Sequence, residues 1–184
     1  MNRSLISAPE LITSHWFNTP EPIWLSGLLG KVVVIEAFQM LCPGCVSHGL
    51  PQTTRVRQTF SKEDVMVLGL HTVFEHHEAQ GSKAALKAFL REYRIEFPVA
   101  IDAQSTNTDS TDLQLPQTMQ KYQLRGTPSL ILIDREGYCR ERYFGNVTDL
   151  ALGASIMELV LDQSTAPASR DETADKQLYP HPFE

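Results

Sequence analysis

The chain has 184 residues, one domain of about 150 residues with a short remainder, so it can build a full core without disulfide staples. Sixteen Lys and Arg against 22 Asp and Glu leave a formal charge of −6, which removes the electrostatic basis for general binding to nucleic acid or to an anionic membrane. The longest apolar stretch, around residues 31–38, contains a carboxylate and falls far short of the ~20 residues of a membrane helix. The first residues, MNRSLISAPELITSHW, hold no apolar core of a secretion signal, so the chain reads as unsecreted and cytosolic.

Residues 1–21 are loosely patterned, a lead-in with room for one edge strand. Thr19-Pro20-Glu21-Pro22 punctuates the chain before Ile23-Trp24-Leu25. Trp16, Phe17 and Trp24 read as packing for this segment. Val32 to Phe38 is short, β-branched and apolar on both parities, which predicts a central strand covered on both faces. Cys42-Pro43-Gly44-Cys45 follows. Pro43 suits the first position of a helix and makes Cys42 its cap, while Gly49 and Pro51 disturb that helix early.

Val65 to Leu70 predicts a second buried strand. An amphipathic helix over residues 82–94 then presents Ala85, Leu86, Phe89, Leu90 and Tyr93 on one stripe. Strand, crossover helix, strand is the βαβ pattern of an α/β fold. Phe97 to Ile101 is a short extended piece, residues 104–112 a polar loop, and residues 116–124 a short helix. Ser129 to Ile133 and Tyr138 to Phe144 predict an antiparallel pair around an Asp134-Arg135-Glu136-Gly137 turn. Thr148 can cap a last helix running to Leu161. The composition therefore divides the chain into the lead-in, a domain over residues 22–161, and a polar tail over residues 162–184 that buries too little to offset ordering.

Three cysteines, an odd number, argue against a structural disulfide framework and toward redox use of the close pair. Cys42, at the cap, faces unpaired amide hydrogens and the positive end of the helix dipole, which stabilise a thiolate. It is the candidate nucleophile. Cys45, one turn inside, is the candidate resolving thiol. The competing reading is a pair of small core residues or half of a zinc site completed from His71, His76 and His77. No second CxxC and no HxxxH supports it, so neither metal nor cofactor is expected.

A strand ending Glu36-Ala37-Phe38, then Cys42-Pro43-Gly44-Cys45 opening a helix, and later Arg125-Gly126-Thr127-Pro128 entering a strand, together resemble the thioredoxin superfamily over residues 22–161. The helix over residues 82–94 and the segment LILIDREGYCRERYFG look most like its TlpA/ResA-type or redoxin branch. The resemblance implies a three-layer α/β fold, with a mixed central sheet flanked by helices and an extra helix inserted between central strands. It implies a thiol–disulfide oxidoreductase acting on protein disulfides or dithiols with a redox partner. Three departures stand out, the first being that this branch usually works outside the cytoplasm whereas no secretion signal is read here. Leu41 occupies the place where the family usually has Trp, and the Pro-Gly middle pair leaves the potential and direction of electron flow open.

The resemblance also assigns roles. Glu36, six residues before Cys42, matches a buried carboxylate beneath the thiols. Burial among apolar neighbours raises its pKa and fits it to take the proton of Cys45, through a water. Thr127 and Pro128 match a cis-proline loop facing the cysteines, and with Pro43 and Gly44 they are the candidate substrate-binding residues. His48 is a candidate for tuning the thiols or a solvated helix histidine, His71 a candidate for lining the groove, and Arg125 for meeting an acidic partner. Cys139 reads as a packed or edge thiol, and His76 and His77 as loop residues. Two alternatives remain: a peroxiredoxin-like peroxidase with Cys45 as the peroxide-attacking thiol, and a non-enzymatic redox-sensing adaptor.

Overall fold

The computed structural model describes residues 6–105 and 115–162. Most of the polar loop and of the tail expected from composition lies outside the described residues. A single sheet carries seven strands among them: β1 (Ile6–Ser7), β2 (Thr13–Phe17), β3 (Val32–Phe38), β4 (Val65–His71), β5 (Val99–Asp102), β6 (Ser129–Ile133) and β7 (Tyr138–Phe144), ordered β1-β7-β6-β3-β4-β5-β2. The helices are α1 (Leu50–Thr59), α2 (His77–Gln80), α3 (Lys83–Glu92), α4 (Gln117–Lys121) and α5 (Asp149–Leu161), with a 3-10 turn at Leu25–Leu28.

β3 occupies the middle, parallel to β4 and antiparallel to β6, and all seven of its residues are buried. Successive side chains of a strand point to opposite faces, and β3 divides accordingly. Val32, Val34 and Phe38 pack with Leu50 and Val56 of α1, Leu86 and Leu90 of α3, and Leu152, Ile156 and Leu159 of α5. Val33, Ile35 and Ala37 face the other layer, where Leu25, Met119 and Tyr122 join residues of β6. The result is the expected three-layer thioredoxin-like fold with a mixed sheet and an inserted helical segment.

Local signals account for the element ends. Ser82 accepts the Ala85 N–H at 3.0 Å to start α3. Thr148 does the same for Ala151 at 3.3 Å in α5. The β6–β7 turn closes as the Asp134 carboxylate accepts from the amides of Glu136 and Tyr138 at 3.0 and 2.8 Å, with Gly137 at φ 82°.

Two features differ from the sequence expectation. The short extended piece at residues 97–101 joins the parallel set as its third strand, since β5 pairs parallel to β4. The lead-in supplies both edges: β1 pairs antiparallel with β7 and β2 with β5. Between them the chain crosses one face of the sheet, burying Ala8 and Leu11, while the Tyr122 hydroxyl donates to the Pro9 carbonyl at 2.6 Å. No helix among the described residues is long and apolar enough to cross a membrane.

Candidate active site

The chain leaves the carboxyl end of β3 through a turn and enters a helix whose first turn carries the two cysteines. Pro43 begins the helix and Cys42 caps it. The Cys42 Sγ accepts the Cys45 backbone N–H at 3.2 Å, so the sulfur occupies the place that a Ser or Asp oxygen takes in an ordinary cap. Gly49 and Pro51 make their disturbance as a π turn over Cys45–Gly49, in which the Leu50 N–H reaches back to the Cys45 carbonyl.

The two sulfurs have different surroundings. Cys42 is half-buried, Cys45 fully buried, and both are free thiols. Burial first, and the neighbouring Cys42 next, push the Cys45 thiol upward. Facing them, the Thr127–Pro128 peptide bond is cis, and the Cys42 thiol lies 3.4 Å from the Thr127 carbonyl oxygen. A Cβ at Gly44 would stand 3.2 Å from the Pro128 Cδ, so glycine permits the close approach of helix and loop. Pro43 is exposed at the rim.

Glu36 is 1% exposed. It has the parity of Val34 and Phe38 and so faces the cysteine-bearing side of the sheet. Its Oε1 has no hydrogen-bond partner in the protein. Burial first, then charge on Cys42, raise the carboxyl well above the ordinary carboxylate range, and the Thr53 hydroxyl pulls weakly the other way. A Cβ at Gly49 would collide with this Oε1 and crowd the Pro128 ring. The π turn therefore ends on the one residue type that lets the helix rest on the carboxylate.

The remaining candidates disperse. His48 is exposed, with its Nδ1 2.6 Å from the Ser47 hydroxyl. His71 does not line the groove: it is buried against the Phe38 ring at 5.3 Å between centroids, because it ends β4 on the face covered by α1, α3 and α5, and burial lowers its pKa to about 4. His76 and His77 are exposed. Among the described residues no group of three or more His, Cys, Asp or Glu side chains could hold a metal ion. Arg125 stacks over the Phe144 ring at 5.4 Å. Cys139, half-buried on β7, packs with the layer opposite Cys45, so the sheet stands between them.

Sequence reasoning passed over Gln39 and Gln80. Both are buried beside the dithiol, and the Gln80 Oε1 accepts the Leu41 N–H at 3.1 Å. A polar residue directly after an apolar strand, at Gln39, was the available signal.

Comparison with known proteins places this geometry. Residues 7–156 match the redoxin family. The solved structure of a thioredoxin-like superfamily protein is 53% identical, with TM-score 0.80, over 88% of this chain and 99% of that one. That of a thiol-disulfide isomerase from Corynebacterium glutamicum is 44% identical, with TM-score 0.76, over 85% and 98%. Protein DipZ of Mycobacterium bovis is 28% identical over 96% of this chain, which spans 25% of that protein's length. The match over most of the chain, carried on the same three-layer fold, shows that the protein belongs to the redoxin family of the thioredoxin superfamily.

Proposed function

We propose that the protein is a thiol–disulfide oxidoreductase whose Cys42 attacks and whose Cys45 resolves. The observation that carries this reading is the asymmetry of the pair: Cys42 caps the helix half-buried, with its sulfur on the Cys45 amide at 3.2 Å and 3.4 Å from the Thr127 carbonyl oxygen, while Cys45 lies fully buried.

In the reducing direction the Cys42 thiolate attacks a protein disulfide. A bond forms between Cys42 and one substrate sulfur, the substrate S–S bond breaks, and the other substrate sulfur leaves as a thiolate. Cys45 gives its proton toward the Glu36 carboxylate and attacks the Cys42 sulfur. The Cys42–Cys45 disulfide forms, the second substrate sulfur departs, and two electrons have passed to the substrate. Glu36 suits the role because its raised pKa brings it toward that of a thiol. Thr127, Pro128, Pro43 and Gly44 form the walls against which the substrate backbone rests. The pair returns to the dithiol by exchange with a redox partner, and the reverse sequence makes the same residues an oxidant. Protein disulfides or dithiols are the substrates proposed here, and the cytosol the proposed compartment.

Reduction of insulin disulfides by the pre-reduced protein tests this directly. C42S should abolish turnover. C45S should trap a mixed disulfide on Cys42, visible by mass spectrometry. Peroxide turnover that persists in C42S and vanishes in C45S would replace the proposal with a peroxidase, and absence of turnover with either substrate would favour a redox-sensing adaptor.

A further inference from the structure

Two glutamines are buried beside the dithiol, each 1% exposed. An amide taken out of water costs free energy unless its groups find partners, and here they find many. The Gln39 Oε1 accepts from the Gln80 Nε2 at 2.9 Å and from the Phe74 N–H at 3.3 Å. The Gln39 Nε2 reaches the Glu75 Oε1 at 3.4 Å and the Thr127 Oγ1 at 3.5 Å. The Gln80 Nε2 also donates to the Glu75 carbonyl at 2.9 Å, and its Oε1 takes the Leu41 N–H at 3.1 Å.

These bonds join three separate stretches of chain: the turn that delivers Cys42, the segment from Phe74 to Gln80, and the loop of the cis proline. Apolar packing holds the flanking residues, Met40 on one core layer and Phe74 on the other, but does not reach Leu41. Leu41, immediately before Cys42, is 54% exposed, so its side chain does not anchor the turn. Residues 75–79 are all exposed, and Gln80 is the buried residue that closes the segment. Beside the backbone turn in which the Cys42 N–H donates to the Gln39 carbonyl at 3.2 Å, the link from Gln80 to the Leu41 amide is the side-chain tie nearest the nucleophile on its N-terminal side.

We propose that Gln39 and Gln80 are a positioning pair for the exchange reaction, holding the Leu41–Cys42 turn in register with the Thr127–Pro128 loop through the Leu41 amide. The inference rests on the thiol-exchange reading, and it concerns how the nucleophile is held rather than what it attacks. The pair does not touch substrate. It sets where the Cys42 sulfur stands relative to the Thr127 carbonyl, on which a small displacement tells strongly.

The test compares wild type, Q80M and Q80E as full chains. Q80M keeps length and removes every polar contact. Q80E, its carboxyl held protonated by burial, keeps an oxygen for the Leu41 N–H and an O–H for the Gln39 Oε1. The readouts are the rate of Cys42 alkylation by iodoacetamide, kcat and KM for insulin reduction, and the thermal unfolding midpoint. Alkylation and kcat should fall about tenfold in Q80M with KM within about twofold, and Q80E should recover most of the alkylation rate. Alkylation and kcat of Q80M within about twofold of wild type would overturn the proposal, as would Q80E as slow as Q80M at an equal midpoint. If Q80M does not fold, hydrogen exchange of the wild-type Leu41 amide decides: strong protection at this exposed residue is expected, and exchange at the rate of an unstructured peptide overturns it. Wild type inactive toward insulin would instead fail the functional reading, and the alkylation and exchange measurements would still judge the pair.

Discussion

Two carboxylates are buried in this sheet, and the protein treats them in opposite ways. Asp102, at the end of β5, accepts from the amides of Thr118 and Met119 at 2.8 and 3.0 Å and from the Thr72 hydroxyl at 3.0 Å, which fastens the start of α4 and the end of β4 to one group. Glu36, on the central strand, keeps an oxygen without a protein partner under the dithiol. Burial raises both carboxyls, Asp102 to about 6 against its several hydrogen bonds and Glu36 well above its ordinary range. The lesson lies in the difference of partners. A buried acid saturated with donors is a rivet. One left with an open oxygen, set against Gly49 of the turn that carries the cysteines, loses no hydrogen bond at that oxygen when it is protonated.

The largest expected effect tests the rivet. Asp102→Ala strands two amides and a hydroxyl and should cost about 3 kcal/mol of stability at pH 4, with exchange activity per folded molecule unchanged. Because the folded carboxyl is raised from 3.8 to about 6, its contribution is complete below pH 3.8 and lost as the pH rises through 6. Denaturant titrations should therefore show the gap between wild type and D102A shrinking from pH 4 to pH 7. A widening gap would break the comparison.

Glu36→Gln tests the open oxygen. Release of the mixed disulfide should slow roughly a hundredfold at neutral pH, the order that a positioned general base supplies, with stability equal to or above wild type because no charge is left to bury. Stopped-flow single turnovers against a fluorescent disulfide peptide measure this, and a purely structural loss would make Glu36 a second rivet.

His71 isolates the acid limb of the stability curve. Its pKa is lowered from 6.5 to about 4 by burial, so its contribution is present above pH 6.5 and lost as the pH falls through 4. Relative to His71→Phe, the wild type should lose about 2 kcal/mol between pH 7 and pH 5. The smallest effect is expected for Thr53→Val, which removes the hydroxyl donated to the Gly49 carbonyl at 2.9 Å. It should cost about 1 kcal/mol and move the acid limb of the release step slightly upward, seen as a displaced midpoint in its pH–rate profile.

Much of this fold was legible in local pattern. The β-branched run of β3, the Cys42 cap before Pro43, the serine and threonine caps of α3 and α5 and the Asp134–Gly137 turn each depend on residues within a few positions of one another. Burial of Glu36 was legible too, because a carboxylate inside an apolar seven-residue strand has no nearby route to water. The edges were legible only in part, since the lead-in left room for one strand and supplies two: Ile6–Ser7 and Thr13–Phe17 are short and loosely patterned, and they become strands because β7 and β5 present unpaired backbone to them. His71 looked like a groove residue because a strand end is also where grooves form, and only the packing of Phe38 and the helices above it removes the ring from solvent.

The sequence alone thus determined the chemistry on offer: a dithiol at a helix start, an acid on the central strand, and a Thr-Pro turn much later in the chain. Tertiary structure decided who meets whom. It brought the Thr127 carbonyl to the Cys42 sulfur, set Gly49 on the Glu36 carboxyl, placed Cys139 across the sheet and joined Gln39 to Gln80. The physical reason is range. Caps, turns and strand periodicity are written in neighbouring residues, whereas a hydrogen bond between groups 85 positions apart exists only once the whole core has fixed both backbones in place.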